Sequence, residues 1–336
     1  MTADDNDPVS VFSPGSVVSQ NLDSSSSCDG ACRLQDWGLI LATGPDSASF
    51  LHGQLTQDIL HLAEGQARLA GYCSAKGRLL ATFTAWRTGP EQIALACSAD
   101  LLAPTLKRLS MFVLRAKCKL SAGDDQWALY GMAGPAAAAW IASALQATVP
   151  AEAWATAASD RGRAIRLPSC GQASRWLWVQ AVGQPAPDLP TLDRAAWNWM
   201  EVRAGVARVQ EATVEQFVRQ MVNLELTGGV NFQKGCYPGQ EVVARSQYRG
   251  TLKRRMFLMS ASGPISAGME VHHSSDPEQP AGMVALAAPV PRDASGRHEA
   301  LVECKSALLA VPGTWRAGEV VLEPGALPYA VPLEPA

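Results

Sequence analysis

The chain has 336 residues, enough for two or three cores of ordinary domain size, and 47% of them are apolar, as in a soluble globule. Its formal charge of −3 gives no global attraction to nucleic acid or to an anionic membrane, so either contact would need a local basic patch. No run approaches the roughly 18 consecutive apolar residues of a membrane helix, and the acidic opening MTADDNDPVS is unlike a basic secretory or transit peptide; the expected location is the cytoplasm, with no membrane partner.

Residues 1–33 are rich in Ser, Asp and Pro, show little apolar periodicity, and are expected to form a disordered lead. A first α+β unit is expected over 34–122. WGLILATGP reads as a strand closed by a Gly-Pro turn. DSASFLHGQLTQDIL reads as a helix capped by Asp46, with Phe50, Leu51 and Leu55 at helical spacing. Strands are predicted at 66–75, 78–87 and 91–97, and a helix at 100–113. A second unit, over 123–252, begins at QWALYGM and continues through the Ala-rich helix PAAAAWIASALQA, strands near 163–168 and 175–182, and a helix from Thr191 to about Ala204. From Lys253 the runs RRMFLMSA, MEVHHSS, AGMVALAAPV and EALVECKSA, punctuated by Gly and Pro, predict a β-barrel module over 253–330. The fold class is therefore α+β: two mixed helix and antiparallel-sheet units followed by the barrel.

Eight scattered cysteines fit a reducing compartment better than a disulfide framework. Cys73, Cys97, Cys118 and Cys304 sit in apolar runs and read as small buried hydrophobes. Cys28 and Cys32 form a C-x3-C in the Ser-rich lead, too few ligands for a metal and with no His close by in sequence. Cys170, in the turn-like LPSCGQ, is expected to be exposed. No metal site is predicted, and the five histidines show no triad partners.

The chemistry concentrates in NFQKGCYPGQEVVARSQ. Gly235 and Pro238-Gly239 mark a tight loop, and QEVVARSQ has helical character. Cys236 thus stands beside Lys234 and ahead of a predicted helix N-terminus, a setting that favours thiolate over thiol. Downstream, Arg245, Arg249, Lys253, Arg254 and Arg255 form either a solvated basic face or an anion site, and Tyr248 among them could stack on a base. Trp176 and Trp178 at strand spacing share a face, whereas Trp197 and Trp199 diverge on a helix; most such residues belong to a core, and one or two could wall a flat heteroaromatic ligand.

The run GGVNFQKGCYPGQEVVARSQYRGTLKRR, with its K-G-C-[YF]-x-G-Q-E core, resembles the signature of the YgfZ-type folate-binding proteins, relatives of the glycine-cleavage T-protein (aminomethyltransferase) and of a mitochondrial iron–sulfur assembly factor. FLHGQLTQDI, YCSAKGRLLATF and AGMVALAAP extend the resemblance over roughly 34–310. It implies three domains around a folate-sized opening, tetrahydrofolate or a derivative as cofactor, and a role in making or maintaining iron–sulfur clusters in client enzymes, tRNA thiomethylation being among the client processes. By that analogy Lys234, Gly235, Cys236, Tyr237, Gly239, Gln240 and Glu241 form the functional loop, with Cys236 and Lys234 as its reactive pair. Arg245 and Arg249 would then engage the glutamate tail of folate or a partner surface.

Two departures separate the chain from the aminomethyltransferase branch. Ala81 and Thr82 stand where the T-protein hairpin has an acidic pair, and EVRAG replaces R-x-E-A-G, so that Glu201 and Arg203 take the outer positions in swapped order. Glu201 is still expected near the ligand. The leading expectation is an accessory protein without conventional turnover; the alternatives are a folate-dependent one-carbon transferase or demethylase, and a scaffold or RNA-contacting protein that keeps only the fold.

Overall fold

The structure is a computed structural model and describes residues 28–240 and 253–332. In chain order it contains β1 (Gly30–Arg33), β2 (Trp37–Thr43), α1 (Ser47–Gln54), β3 (Ala67–Cys73), β4 (Leu79–Gly89), β5 (Gln92–Ser98), α2 (Leu102–Ser110) and β6 (Lys119–Ala122). The second stretch supplies β7 (Trp127–Ala133), α3 (Gly134–Leu145), β8 (Thr156–Ser159), β9 (Gly162–Cys170), β10 (Ala173–Ala181) and α4 (Arg194–Arg203). The last supplies β11 (Arg254–Ala261), β12 (Glu270–His273), β13 (Gly282–Pro289), β14 (His298–Lys305), β15 (Trp315–Ala317) and β16 (Val320–Pro324).

Two antiparallel sheets, ordered β3-β4-β5-β2-β6 and β1-β7-β10-β9-β8, precede a closed barrel, β11-β14-β13-β12-β15-β16. The α+β class with a terminal barrel is thus the observed architecture. Among the described residues no helix is long and apolar enough to cross a membrane.

The boundary at residue 33 is corrected. Residues 30–33 form an edge strand that pairs with β7 from Gly30↔Ala133 to Arg33↔Tyr130, so the second sheet takes one strand from ahead of the first. Cys28 and Cys32 are buried as a result, and burial pushes the Cys32 thiol up to about 12. Cys170 is buried as well, at the end of β9, with its thiol pushed up to about 11 by the same cause. None of the three has the electropositive, accessible setting of a reactive thiol.

Helix α4 sets the position of everything that follows. Asp193 caps it by accepting from the backbone N–H of Ala195 at 2.8 Å. Trp197 turns to β7, where Gly131 leaves room for its indole; a Cβ at that glycine would lie 2.5 Å from ring carbon Cδ2. Trp199 turns the other way and donates from Nε1 to Glu299 of β14 at 2.7 Å. The helix therefore bridges the second sheet and the barrel, and carries Glu201 between them.

Candidate functional site

Between the two sheets lies a cleft of about 460 Å³, the open solvent at its mouth included. The first sheet lines it with Trp37, Phe83 and Thr82, the second with Pro168 and Arg175, the turn ahead of β8 with Trp154, and α4 with its following loop adds Glu201 and Arg208.

Arg208 organises the charges. It pairs with Asp36 at 2.9 Å and Glu201 at 3.4 Å, and its guanidinium lies 5.2 Å from the Trp37 ring centroid. Burial raises the Glu201 carboxyl above the ordinary carboxylate range, opposed by Arg208 and then Arg175. The indole Nε1 of Trp37, Nη1 of Arg175 and Nε of Arg208 are buried without a hydrogen-bond acceptor. Three unsatisfied donors around one carboxylate are costly in a closed core and fit the walls of a polar ligand site. Thr82 lines the same wall, its hydroxyl accepting from the backbone N–H of Val209 at 3.0 Å, so Glu201 is the one carboxylate lining the cleft among the described residues. Arg203, the other outer member of EVRAG, points away and pairs with Glu299 at 3.2 Å.

The cysteine loop is built at a different place, on the first sheet. Asn231 starts it by accepting from the N–H groups of Gln233 and Lys234, at 2.8 and 3.0 Å. The hydroxyl of Thr56 donates to the carbonyl of Gly229 at 2.6 Å and ties the preceding chain down. Gly239, at φ +78°, sits against the β3–β4 hairpin so closely that a Cβ would lie 2.5 Å from the Ser74 carbonyl oxygen; the hairpin accepts only glycine there. Gln240 closes the turn, donating from its N–H to the Tyr237 carbonyl at 3.2 Å and accepting from the Tyr237 N–H at 3.3 Å. Cys236 is exposed at the top, next to Gly235, whose surroundings are open.

Lys234 is engaged inward. Its ammonium donates to the carbonyls of His52 and Leu55 at 2.6 and 2.9 Å, at the C-terminal end of α1 where the helix dipole favours a cation, and lies 4.7 Å from the Tyr237 ring centroid. Burial nonetheless brings its pKa down to about 8, against smaller opposing effects of Asp58 and Cys236. Between pH 8 and the ordinary lysine value near 10.4 the unfolded chain holds a proton that the folded chain does not. Stability should therefore rise with pH across that window, by roughly 1–3 kcal/mol relative to Lys234→Met. Urea melts of both proteins at pH 7.5, 9 and 10.5 check this; parallel curves would contradict it.

Glu241, Arg245 and Arg249, with the helix predicted for QEVVARSQ, lie outside the described residues. The basic face is corrected at its C-terminal end: Arg254 is bonded to Glu303, and buried Arg255 to Glu225 and to the carbonyl of Gln220. Both guanidinium groups are engaged by carboxylates because β11 sets Arg254 beside β14 and Arg255 against the 3-10 turn Arg219–Val222. Sequence reasoning picks out Glu201 but misses Trp37, Arg175 and Arg208. Neither the two arginines nor the tryptophan carries a local pattern that tells which cavity its side chain faces.

Comparison with known proteins gives a consistent picture. The family model of the GCVT N-terminal domain matches residues 29–169. The tRNA-modifying protein YgfZ of Klebsiella pneumoniae is 32% identical over 248 residues, which cover 68% of this chain and 71% of the relative. The protein of the same name from Vibrio vulnificus is 32% identical over 240 residues, 70% of this chain and 71% of its own. Among solved structures, the glycine cleavage system aminomethyltransferase T of Bartonella henselae superposes with a TM-score of 0.70 at 17% identity, over 92% of this chain and 88% of that one, a likeness of fold.

Proposed function

Because the chain belongs to the YgfZ family, we propose that it binds tetrahydrofolate or a derivative in the cleft and supports iron–sulfur client enzymes, among them radical enzymes that modify tRNA, as an accessory protein without conventional turnover. The observation that carries the reading is Glu201: a buried carboxylate set among unsatisfied donors and aromatic walls. A reduced pterin has a flat pyrimidine ring that presents neighbouring N–H donors on its edge and carries a carbonyl. Glu201 would accept from that edge, Arg175 and Arg208 would donate to the carbonyl, and Trp37 and Trp154 would flank the ring.

Thr82 favours the accessory role over aminomethyl transfer. It places a hydroxyl where the T-protein hairpin has an acid, and the cleft's own carboxylate is already tied to Arg208. Cys236, exposed in its fixed loop, supplies the thiol chemistry. Steady aminomethyl transfer from a lipoyl-bearing carrier by the pure protein would contradict the reading. The direct test is complementation: in a bacterial strain lacking its YgfZ protein, expression of this chain should restore thiomethylated tRNA nucleosides, measured by mass spectrometry of digested tRNA. Failure of a well-expressed wild-type chain would overturn it.

A further inference from the structure

Arg219 is 2% exposed, yet among the described residues it makes no ion pair, and its Nε and Nη1 find no acceptor. Of the two groups whose charge would reach it, Cys73 is a buried thiol whose pKa is pushed up to about 12, and Glu225 is taken by Arg255. What surrounds the guanidinium instead is the cysteine loop: the ring centroids of Phe232 and Tyr237 each lie 5.5 Å away. The hydroxyl of Tyr237 is itself buried without a partner.

An arginine stays protonated even when buried, and a buried charge left without its counter-ion is strongly destabilising. Two aromatic faces offset part of that cost and give Nε and Nη1 no acceptor. Among the described residues the pieces present are therefore a cation, a free hydroxyl and two ring faces, with no negative group paired to the cation.

We propose that Arg219 and the Tyr237 hydroxyl form an oxyanion site inside the Cys236 loop, taking a carboxylate or phosphate group of a ligand that approaches the cysteine. Phe232 covers the guanidinium and is 51% exposed, so its side chain can swing aside as the anion enters. Arg219, Phe232 and Tyr237 do not line the cleft, and the site stands whether or not folate binds there.

The test is thermal unfolding of the full chain in inorganic phosphate and, separately, in triglutamate, each against chloride at matched ionic strength. Wild-type protein should show a saturable rise in midpoint with at least one of them. A response to phosphate alone assigns a phosphate-ester ligand, a response to triglutamate alone a carboxylate, and a response to both a general oxyanion site. Arg219→Met should lose the response and start from a midpoint equal to or above wild type, because an unpaired buried charge has been replaced by an apolar chain of similar length. Tyr237→Phe should fold normally and bind the same anion about tenfold more weakly, the loss of one hydrogen bond to a charged group. No response in wild type overturns the proposal. So does a wild-type response retained in Arg219→Met or, should that variant fail to fold, one retained in full by Tyr237→Phe.

Discussion

Cys236→Ser is expected to reduce support of client enzymes to the level of a strain lacking the protein, with folding and folate affinity unchanged. The side chain is exposed and does not line the cleft, so the substitution should move stability by no more than about 0.5 kcal/mol. What changes is chemistry. A thiol reaches its anion within a few pH units of neutrality and the thiolate is a strong nucleophile and metal ligand, whereas a serine hydroxyl needs an adjacent base to act at all. Melting curves, tetrahydrofolate binding and thiomethylated tRNA measured on the same variant separate these effects. A variant that still restores the modification would remove the thiol from the account.

Gly131→Val should be strongly destabilising, at about 3 kcal/mol or more. The first added carbon would lie 2.5–2.7 Å from Cδ2, Cε2 and Cε3 of Trp197, a fully buried ring with the Arg175 guanidinium 4.9 Å from its centroid. Neither neighbour can yield cheaply. Moving the indole moves α4, which positions Glu201, and displaces Arg175, so the cleft changes together with stability. Gly131→Ala should show the same effects in smaller degree. A urea midpoint within experimental error of wild type for the valine variant would mean that the strand and helix are less tightly coupled than their packing implies.

Much of this architecture is legible in local sequence patterns. RRMFLMSA coincides with β11 because its apolar run is bounded by charge on one side and a Gly-Pro turn on the other. The cysteine loop is marked by KGCYPGQE, whose glycine at 239 meets a backbone only glycine can approach. Pairings distant in sequence stay hidden. The four residues of β1 carry no periodicity of their own and become a strand only through β7, almost a hundred residues later, which is why a Ser-rich lead containing two cysteines reads as disordered. Lys234 beside Cys236 suggests an activating cation, yet its long stem lets the ammonium reach the carbonyls at the end of α1 instead. Arg208 is invisible in sequence for the same reason: its partners, Asp36 and Ser98, belong to another part of the chain.

On this reading Glu201 holds a folate in the cleft. Anaerobic calorimetric titration of tetrahydrofolate into wild-type protein and Glu201→Gln tests it most directly. Wild-type protein should bind one-to-one, and the variant roughly tenfold to a hundredfold more weakly as one to two charge-assisted hydrogen bonds are lost. Wild-type protein that gives no binding heat, or a variant that binds as tightly as wild type, would contradict it.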